Sequence, residues 1–293
     1  MNSPLLQSRA FVRAMAHLST PVQERRLWRG RRLDGRCVLQ TRRWYGLGHV
    51  RLISRGPVCR DPADRLHWLH DLLDGGPPTV VNGDHLCTRD LRDLGLFPLM
   101  TGASLARVSL GPVADMRARL HQKWRNRLVK GTHSGLQVRL SRLPPDPDHW
   151  LLRAEAQQQI QRKYRNLPAP LIAAFAAANP RDALICEALH NGTPVAGQVI
   201  LRHGTMATYQ VGVTTATGRR HHAHRILLWH AMQHLAEDGV DALELGIVDS
   251  QTAPGLARFK LGTGAQVVTL GGTWLYHRAL RSVAYRVPLR LAA

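Results

Sequence analysis

The sequence predicts an α+β fold, and three observations lead to that prediction. The second half of the chain reads as two helices, three consecutive strands, a helix, a strand, a short helix and two final strands. The first two of the consecutive strands flank Asn191-Gly192, a dipeptide that tolerates the positive φ angles of a tight hairpin turn. The helix between the third and fourth strands supplies one crossover connection, which is typical of an α+β arrangement.

The first half also alternates strands with helices. Strands over 36–41 and 49–54 are separated by a turn that contains Gly46 and Gly48, and Gly56-Pro57 ends the second strand. The elements that follow are a helix over 61–73, a strand over 79–82, a short helix over 89–94, and strands over 105–110 and 136–140.

A helix over 113–134 is the clearest element of the first half. Its apolar side chains recur every four residues and form one stripe for packing, while its other faces are strongly basic. The stripe consists of Met116, Leu120, Trp124 and Leu128. Gly135 follows the last turn, where glycine commonly ends a helix.

The second half gives the more regular pattern. Its predicted helices are 150–164, 170–178, 222–237 and 254–261, and its predicted strands are 183–189, 195–202, 205–213, 241–247, 266–270 and 273–276. The proline-rich segment Pro144-Pro145-Asp146-Pro147 predicts a linker. We therefore expect an N-terminal segment of low order over 1–22, a first half over 23–143, and a second half over 144–293 with a basic tail over 277–293.

The composition limits the classes of protein that are possible. Hydrophobic residues make up 44% of the 293 residues, which excludes a disordered basic tail. No apolar run approaches the roughly 18 residues that span a bilayer, so no transmembrane segment is predicted. The four cysteines are far apart and form no C-x-x-C pair, which favours a reducing compartment and predicts a cytoplasmic protein.

The charge is strongly positive and unevenly distributed. Lys and Arg number 40 against 20 Asp and Glu, for a net charge of +20. The excess is concentrated over 25–60, with 11 cations and one acid, and over 117–142, with eight cations and no acid. Such a field attracts nucleic acid, nucleotides or anionic surfaces. Aromatic residues are only 5% of the chain, which argues against sequence-specific reading of nucleic acid.

Short motifs follow one another in a fixed order between Gln23 and Trp274. They are Gln23-x4-Trp28, the run Leu52 to Val58 (LISRGPV), Lys123 to Leu128 (KWRNRL), Gly192 to Gly197 (GTPVAG), Glu244-Leu245-Gly246, and Phe259 to Gly264 (FKLGTG). In this order they resemble the tandem-GNAT transferases related to the Fem aminoacyltransferases of peptidoglycan synthesis. The resemblance implies two GNAT-like mixed-sheet halves in tandem, the first degenerate, linked by the basic helix over 113–134.

The resemblance also implies a reaction and a donor site. Such enzymes move an acyl or aminoacyl group from a thioester or a tRNA ester onto an amine. In GNAT folds a strand feeds a helix whose N-terminal amides hold the pyrophosphate of coenzyme A, because the unpaired N–H groups and the helix dipole favour anions there. The matching loop contains Arg219, Arg220, His222, His224 and Arg225, with histidine at both positions where the family has small residues.

Catalytic candidates follow from the same reaction. Lys260 matches the family's lysine after phenylalanine, which is thought to stabilise the developing oxyanion. An attacking amine needs a general base, for which Glu244 ranks first and Asp249 and Glu187 are further candidates. Tyr209 could protonate a leaving thiolate. For each of the three carboxylates the alternative is a buried hydrogen-bonded or a surface group, and for Tyr209 it is a core tyrosine.

Substrate contacts are predicted at Phe259 and along the basic helix at Lys123, Arg125 and Arg127. That helix is either a track for tRNA or another anionic substrate, or a solvated face over a packed stripe. We expect reversal of its charge to have little effect on coenzyme A binding in the opposite half. His230 and His234 have the i, i+4 spacing of metal ligands, but two ligands do not make a zinc site, so none is predicted.

The predicted function is therefore an N-acyltransferase that takes an acyl group from acyl-CoA and gives it to an amine by direct attack. Acyl-CoA would be a co-substrate, and no tightly bound cofactor is expected. One alternative is an aminoacyl-tRNA-dependent, Fem-type aminoacyltransferase. A second, of another class, is a non-catalytic protein that binds RNA or an anionic surface.

Overall fold

The computed structural model describes residues 3–20, 22–46, 48–284 and 286, and within them the chain forms two mixed sheets of seven strands each. The strands are β1 Val22–Arg29, β2 Arg32–Trp44, β3 Gly48–Ser54, β4 Val58–Cys59, β5 Thr79–Asn82, β6 Phe97–Met100, β7 Ser104–Ser109, β8 Gln137–Arg142, β9 Ala183–His190, β10 Thr193–His203, β11 Met206–Thr214, β12 Ala242–Ile247, β13 Gln266–Thr269 and β14 Thr273–Tyr276. The helices are α1 Arg9–His17, α2 Asp64–Leu73, α3 Thr88–Asp93, α4 Val113–Arg119, α5 Gln122–Thr132, α6 Trp150–Arg162, α7 Ala169–Ala178, α8 Ala216–Arg220, α9 Ala223–Glu237, α10 Pro254–Leu261 and α11 Arg281–Ala284.

The first sheet has the order β1-β2-β3-β5-β14-β6, and β4 pairs with β2 outside that path. Strands β3 and β5 are parallel, and α2 lies in the connection between them. Trp68 and Leu69 of α2 pack with Leu39, Ile53 and other strand residues in one core. Burial of such side chains on folding stabilises the unit by about 1.5–3 kcal/mol for each large apolar side chain.

The second sheet has the order β13-β7-β12-β11-β10-β9-β8. Strands β11 and β12 are its parallel pair, connected through α8 and α9, and the other ladders are antiparallel. One face packs against α4, α5 and α9, and the other packs against α1, α6 and α7. The α+β class and the tandem of mixed sheets predicted from the sequence are confirmed.

The predicted boundary at 143/144 does not separate the two sheets. Strands β7 and β8 and helices α4 and α5 belong to the second sheet and its core, whereas β14 returns to the first sheet between β5 and β6. The proline-rich segment therefore connects β8 to α6 within the second unit. The segment comes one residue after β8, and that residue, Leu143, still donates its N–H to the Ala183 carbonyl of the neighbouring strand β9.

The predicted basic helix is interrupted. Helices α4 and α5 meet at Leu120, whose ψ of 133° is extended, and the next amide, of His121, donates to the Gly262 carbonyl at 3.0 Å. The break keeps Met116, Leu120 and Trp124 buried together, so the predicted stripe does pack. Strands β1, β4 and β6 and helices α1, α8 and α11 were not predicted.

The N-terminal segment differs from the expectation of low order. Ser8 caps α1 by accepting a hydrogen bond from the Phe11 amide at 3.0 Å, and α1 packs against α7. Gln7 is fully buried and bonds to the Val38 amide and to the carbonyls of Val38 and Ser54. The segment therefore contacts the first sheet through Gln7 and the second unit through α1.

The predicted basic tail lies partly outside the described residues, which omit 285 and 287–293. Among the described residues, none of the helices has the length and hydrophobicity of a membrane span.

Candidate functional site

A gap opens in the middle of the second sheet. Strands β11 and β12 pair only over Met206–Thr208 and Ala242–Glu244, although β11 continues to Thr214 and β12 to Ile247. A register shift between β10 and β11 adds one residue, Gln210, to β11 at the same level. Beyond the last pair, the facing strand edges offer backbone groups that no ladder uses. The sequence contained no periodicity signal for this gap.

Helix α9 begins beside the end of β11. Its N-cap residue, His222, has a left-handed φ of 55° and makes no side-chain capping bond. The Arg225 amide donates to the His222 carbonyl at 2.9 Å, and the first turn of this 15-residue helix carries the positive end of its dipole. Arg219 and Arg220, predicted for the same loop, are exposed and bond locally to the Thr214 carbonyl and the Thr217 hydroxyl.

His224 turns inward from the first turn of α9. Its Nε2 bonds to the Val213 carbonyl of β11 at 2.9 Å, and its own carbonyl accepts from Gln198 at 2.9 Å. Burial lowers the pKa of His224, and the nearby cations Arg225 and Arg219 lower it further, against the raising effect of the Val213 bond. The ring is therefore neutral at pH 7 and caps a carbonyl of β11 near the gap.

Arg225 lies over the ring of Phe259, with the guanidinium carbon 5.7 Å from the ring centroid. Its Nε is buried without a hydrogen-bond partner among the described residues. Burial lowers the pKa of Arg225, and the charge of Arg127 on α5 contributes in the same direction. A buried, unpaired guanidinium nitrogen is costly, which is consistent with a place for an anionic ligand.

The basic helix α5 packs against α9. A Cβ at Gly131 of α5 would stand 2.8 Å from Ile226, so the two helices approach closely there. The pKa of His222 is lowered by burial and by the charges of Arg225, Arg127 and Lys130. We call the start of α9, together with the side chains of His222, Arg225, Arg127 and Lys130, the cationic cradle. The expectation that α5 lies in the opposite half from the predicted donor loop is therefore wrong, because its C-terminal turn packs against the start of α9.

The other predicted contacts on α5 lie nearer its start. Lys123 is exposed, and Arg125 bonds through one terminal nitrogen to Gln122 at 3.3 Å. The Nε of Arg125 is buried and has no hydrogen-bond partner within the described chain. Of the three basic residues predicted for substrate binding, Arg127 is the one whose charge lowers the pKa of His222 and of Arg225.

Phe259 and Lys260 stand together on α10 but have different surroundings. Phe259 is buried against the rings of Trp124 and His224, and its carbonyl accepts from Trp124 Nε1 at 3.0 Å. Lys260 is 7% exposed, and its Nζ donates to the Ile247 carbonyl at 2.7 Å, where β12 ends. Burial lowers the pKa of Lys260 to about 8. The ammonium group is therefore mostly protonated at pH 7 and lies at the β12 side of the gap.

Glu244 does not suit the predicted role of general base. It is buried, and it accepts hydrogen bonds from Arg55 at 2.7 and 2.8 Å and from Arg107 at 2.8 Å. Burial raises its pKa, but the bonds and charges of the two arginines outweigh that effect and bring the pKa to about 2. A carboxylate this acidic does not take a proton from an amine at pH 7.

Asp249 is also a structural carboxylate. It accepts hydrogen bonds from the hydroxyl and amide of Thr252 and from the Gln251 amide, and these bonds close the turn after β12. The Thr252 hydroxyl bond is the main cause of its lowered pKa. Asp249 therefore shapes the turn and is poorly suited to act as a base.

Tyr209 lies on β11 immediately after the last residue paired with β12. Its hydroxyl lies against Gly212, which leaves no room for a Cβ there, and its ring packs beside the core under α9. Burial raises its pKa strongly, so the hydroxyl stays protonated at neutral pH. Tyr209 therefore holds a proton at neutral pH, which its raised pKa makes it slow to give up without a strong acceptor.

Sequence reasoning missed the partners of Glu244. Arg55 had been noted within the LISRGPV motif but had no role, and Arg107 carried no motif. Asp84, which accepts from Arg55 Nε at 3.0 Å, was also missed. No group of three or more His, Cys, Asp or Glu side chains that could hold a metal ion occurs within the described ranges.

The parted parallel strands, the helix start with its cations and the buried lysine together have the features expected of an acyltransferase of the GNAT type. A family model for the acetyltransferase (GNAT) domain matches residues 115–264, about half of the chain. The chain therefore belongs to the GNAT acetyltransferase family. No curated protein matches it by sequence.

Solved structures show how widely the fold is shared. The crystal structure of FemX matches with a TM-score of 0.77 and 12% identity, over 97% of this chain and 94% of that one. The C-terminal domain of a putative lysylphosphatidylglycerol synthetase from Agrobacterium fabrum matches with a TM-score of 0.60 and 15% identity, over 96% and 91%. A tandem GNAT protein from the clavulanic acid biosynthesis pathway matches with a TM-score of 0.51 and 12% identity, over 91% and 87%. The Fem-like tandem fold predicted from the sequence is confirmed.

Proposed function

We propose that the protein is an N-acyltransferase that transfers an acyl group from acyl-CoA to an amine by direct attack. The observation that carries the proposal is the gap between β11 and β12, with the cationic cradle on one side and Lys260 on the other. The cradle would hold the donor's phosphates through Arg225, Arg127, Lys130 and the first amides of α9. The acyl group would then lie within the gap.

In the proposed reaction the amine nitrogen bonds to the thioester carbonyl carbon, and the carbon–sulfur bond breaks. The Lys260 ammonium would stabilise the oxyanion that forms between these events. Tyr209 would give its proton to the leaving sulfur and regain one from the attacking nitrogen, which loses a proton as the amide forms. The products are an amide and a free thiol, and Tyr209 ends in its protonated form. Glu244 is held in an ion pair with Arg55, and Asp249 closes a turn, so neither carboxylate is available to take a proton from the amine. The amine would therefore enter the site already deprotonated, as its free base.

Aminoacyl-tRNA is the second candidate donor, and one observation favours it. His224 already occupies the Val213 carbonyl, a group of β11 that an extended pantetheine arm could otherwise use, and His222 stands where glycine would let phosphate approach. The exposed cations of α5, which continue the cradle, would then contact the tRNA backbone.

The test compares the two donors on the same variants. Acetyl-CoA should raise the melting temperature of the protein, and the double variant Arg127→Ala, Lys130→Ala should bind it about tenfold more weakly or worse, since two charged contacts are lost. Lys123→Ala, on the same helix, is the matched control. If charged tRNA protects instead, with affinity that falls steeply with salt, the second donor replaces the first.

Lys260→Ala separates an enzyme from a binding protein. With a donor bound, the variant should keep donor affinity and lose transfer to amine acceptors. Failure of both donors to protect the protein would remove the enzyme proposal, and binding of RNA or of an anionic surface alone would leave the non-catalytic function.

A further inference from the structure

The hairpin formed by β2 and β3 extends beyond the rest of the first sheet. Strand β1 accompanies β2 only from Arg32 to Gln40, and β5 accompanies β3 only from Arg51 onwards. Past those points the ladder joins β2 and β3 to each other, ending at the pair Trp44 and Gly48. We call residues 41–49, apart from residue 47, the arm. At about 3.3 Å per residue, Trp44 stands about 13 Å beyond Gln40.

The arm carries exposed aromatic and cationic side chains. Tyr45 is fully exposed and Trp44 is 45% exposed, and Arg42, Arg43 and His49 are exposed as well. No Asp or Glu occurs between residues 35 and 60 of the sequence. An isolated two-stranded ribbon has little core of its own, so these large side chains gain nothing from packing within the arm. Their exposure together points to a partner.

The order of side chains along the arm matches the layers of a membrane surface. Trp44 and Tyr45 are at the tip, and Arg42 and Arg43 come one to three residues behind them. Tryptophan and tyrosine favour the headgroup level of a bilayer, while guanidinium groups are attracted to the phosphates of anionic lipids. An open cleft of about 550 Å³ is lined by Arg43, Trp44, Tyr45, Gly46 and Gly48.

We propose that the arm docks the protein onto an anionic phospholipid surface. Trp44 and Tyr45 enter the headgroup region, and Arg42 and Arg43 contact lipid phosphates. Single-stranded RNA fits the arm less well, because such ligands need a groove that follows the backbone with several stacking surfaces, and the arm offers one aromatic pair on a narrow ribbon. The docking does not depend on the proposed acyl transfer.

The experiment is flotation of the full chain with phosphatidylcholine vesicles, with and without phosphatidylglycerol. The wild-type protein should bind only the anionic vesicles, more weakly as salt rises. Arg42→Gln with Arg43→Gln should reduce the affinity about 30-fold, and Trp44→Ser with Tyr45→Ser should reduce it at least tenfold. Trp28→Ser, at an exposed tryptophan of β1, is the control and should bind like wild type.

Because the arm lies outside the cores, its variants should keep the wild-type melting temperature, which separates loss of docking from loss of folding. The proposal is overturned if the protein does not bind anionic vesicles, or if binding persists unchanged in both arm variants. Arm-dependent binding of polyuridylate without vesicle binding would assign the arm to RNA instead.

Discussion

Arg55 and Glu244 form a two-bond ion pair, 2.7 and 2.8 Å long, between the two sheets. Arg55 directly follows β3 of the first sheet, and Glu244 is the last residue of β12 that pairs with β11. Both side chains are largely buried, and Asp84 and Arg107 complete the cluster. The point where the strands part is thus held by a residue of the other sheet.

Glu244→Gln should destabilise the protein by about 3–5 kcal/mol, because it leaves two buried arginines without a full counter-charge. Urea unfolding measures the loss, and Glu24→Gln, which removes a surface partner of Arg26, is the control with a much smaller loss. The pKa of Glu244 is lowered to about 2. The stabilisation that Glu244 provides is therefore complete above the ordinary glutamate pKa and disappears as pH falls towards 2. The difference in the free energy of unfolding between wild type and variant should shrink over that window. An equal loss in both variants would contradict this account.

Lys260→Met should raise the free energy of unfolding at pH 7 while abolishing transfer. The pKa of Lys260 is lowered to about 8 by burial, so between that value and the ordinary lysine pKa the unfolded chain binds more protons than the folded one. The stability of the wild type should rise with pH across this window, and the variant should lack the rise. Lys123→Met, at an exposed position, should leave the profile unchanged. Under the proposed mechanism, wild-type transfer should also decline above pH 8, as the ammonium loses its proton.

Gln7→Ala should cost about 1–3 kcal/mol, because it leaves the buried Val38 amide without its partner. The same change should speed proteolysis of the segment that contains α1, as limited digestion would reveal. Gln157→Ala, at an exposed position of α6, should neither lower the stability nor speed the proteolysis. If both variants behave alike, the N-terminal segment does not contribute to the stability of the fold.

His222→Gly should stabilise the protein by a few tenths to about 1 kcal/mol, since glycine adopts the observed left-handed φ without the cost that a side chain brings. His222→Ala retains a Cβ and should show no gain, which thermal unfolding of the pair would establish. If acyl-CoA is the donor, the glycine variant should also bind it more tightly, because the backbone becomes accessible to phosphate. Weaker binding would mean that the His222 ring itself contacts the donor.

The local sequence pattern predicted most of the helices and strands, but it did not predict which strands pair with each other. Asn191-Gly192 and the apolar periodicities predicted the β9 to β12 region closely, because hairpins and amphipathic helices are encoded over a few residues. The sequence did not reveal that β7 joins the second sheet and β14 the first, since those ladders join segments far apart in the chain.

The same limit applied to the site. Lys260 was identified by its motif, and Glu244 was ranked first among the candidate bases. Its function was misjudged because that depends on Arg55, which is 189 residues away in sequence. Similarly, α5 was assigned to another half because nothing local in the sequence indicates its close approach to α9 at Gly131.

The exchange of strands between the sheets has a consequence for how the protein is made. The first sheet has β14 between β5 and β6, and the second has β7 between β12 and β13. On the ribosome, residues 22–100 cannot complete their sheet until residue 276 has been synthesised. The edges of β5 and β6 that β14 joins in the complete sheet therefore stay without that partner through most of translation. Neither half, if expressed by itself, would contain every strand of its own sheet.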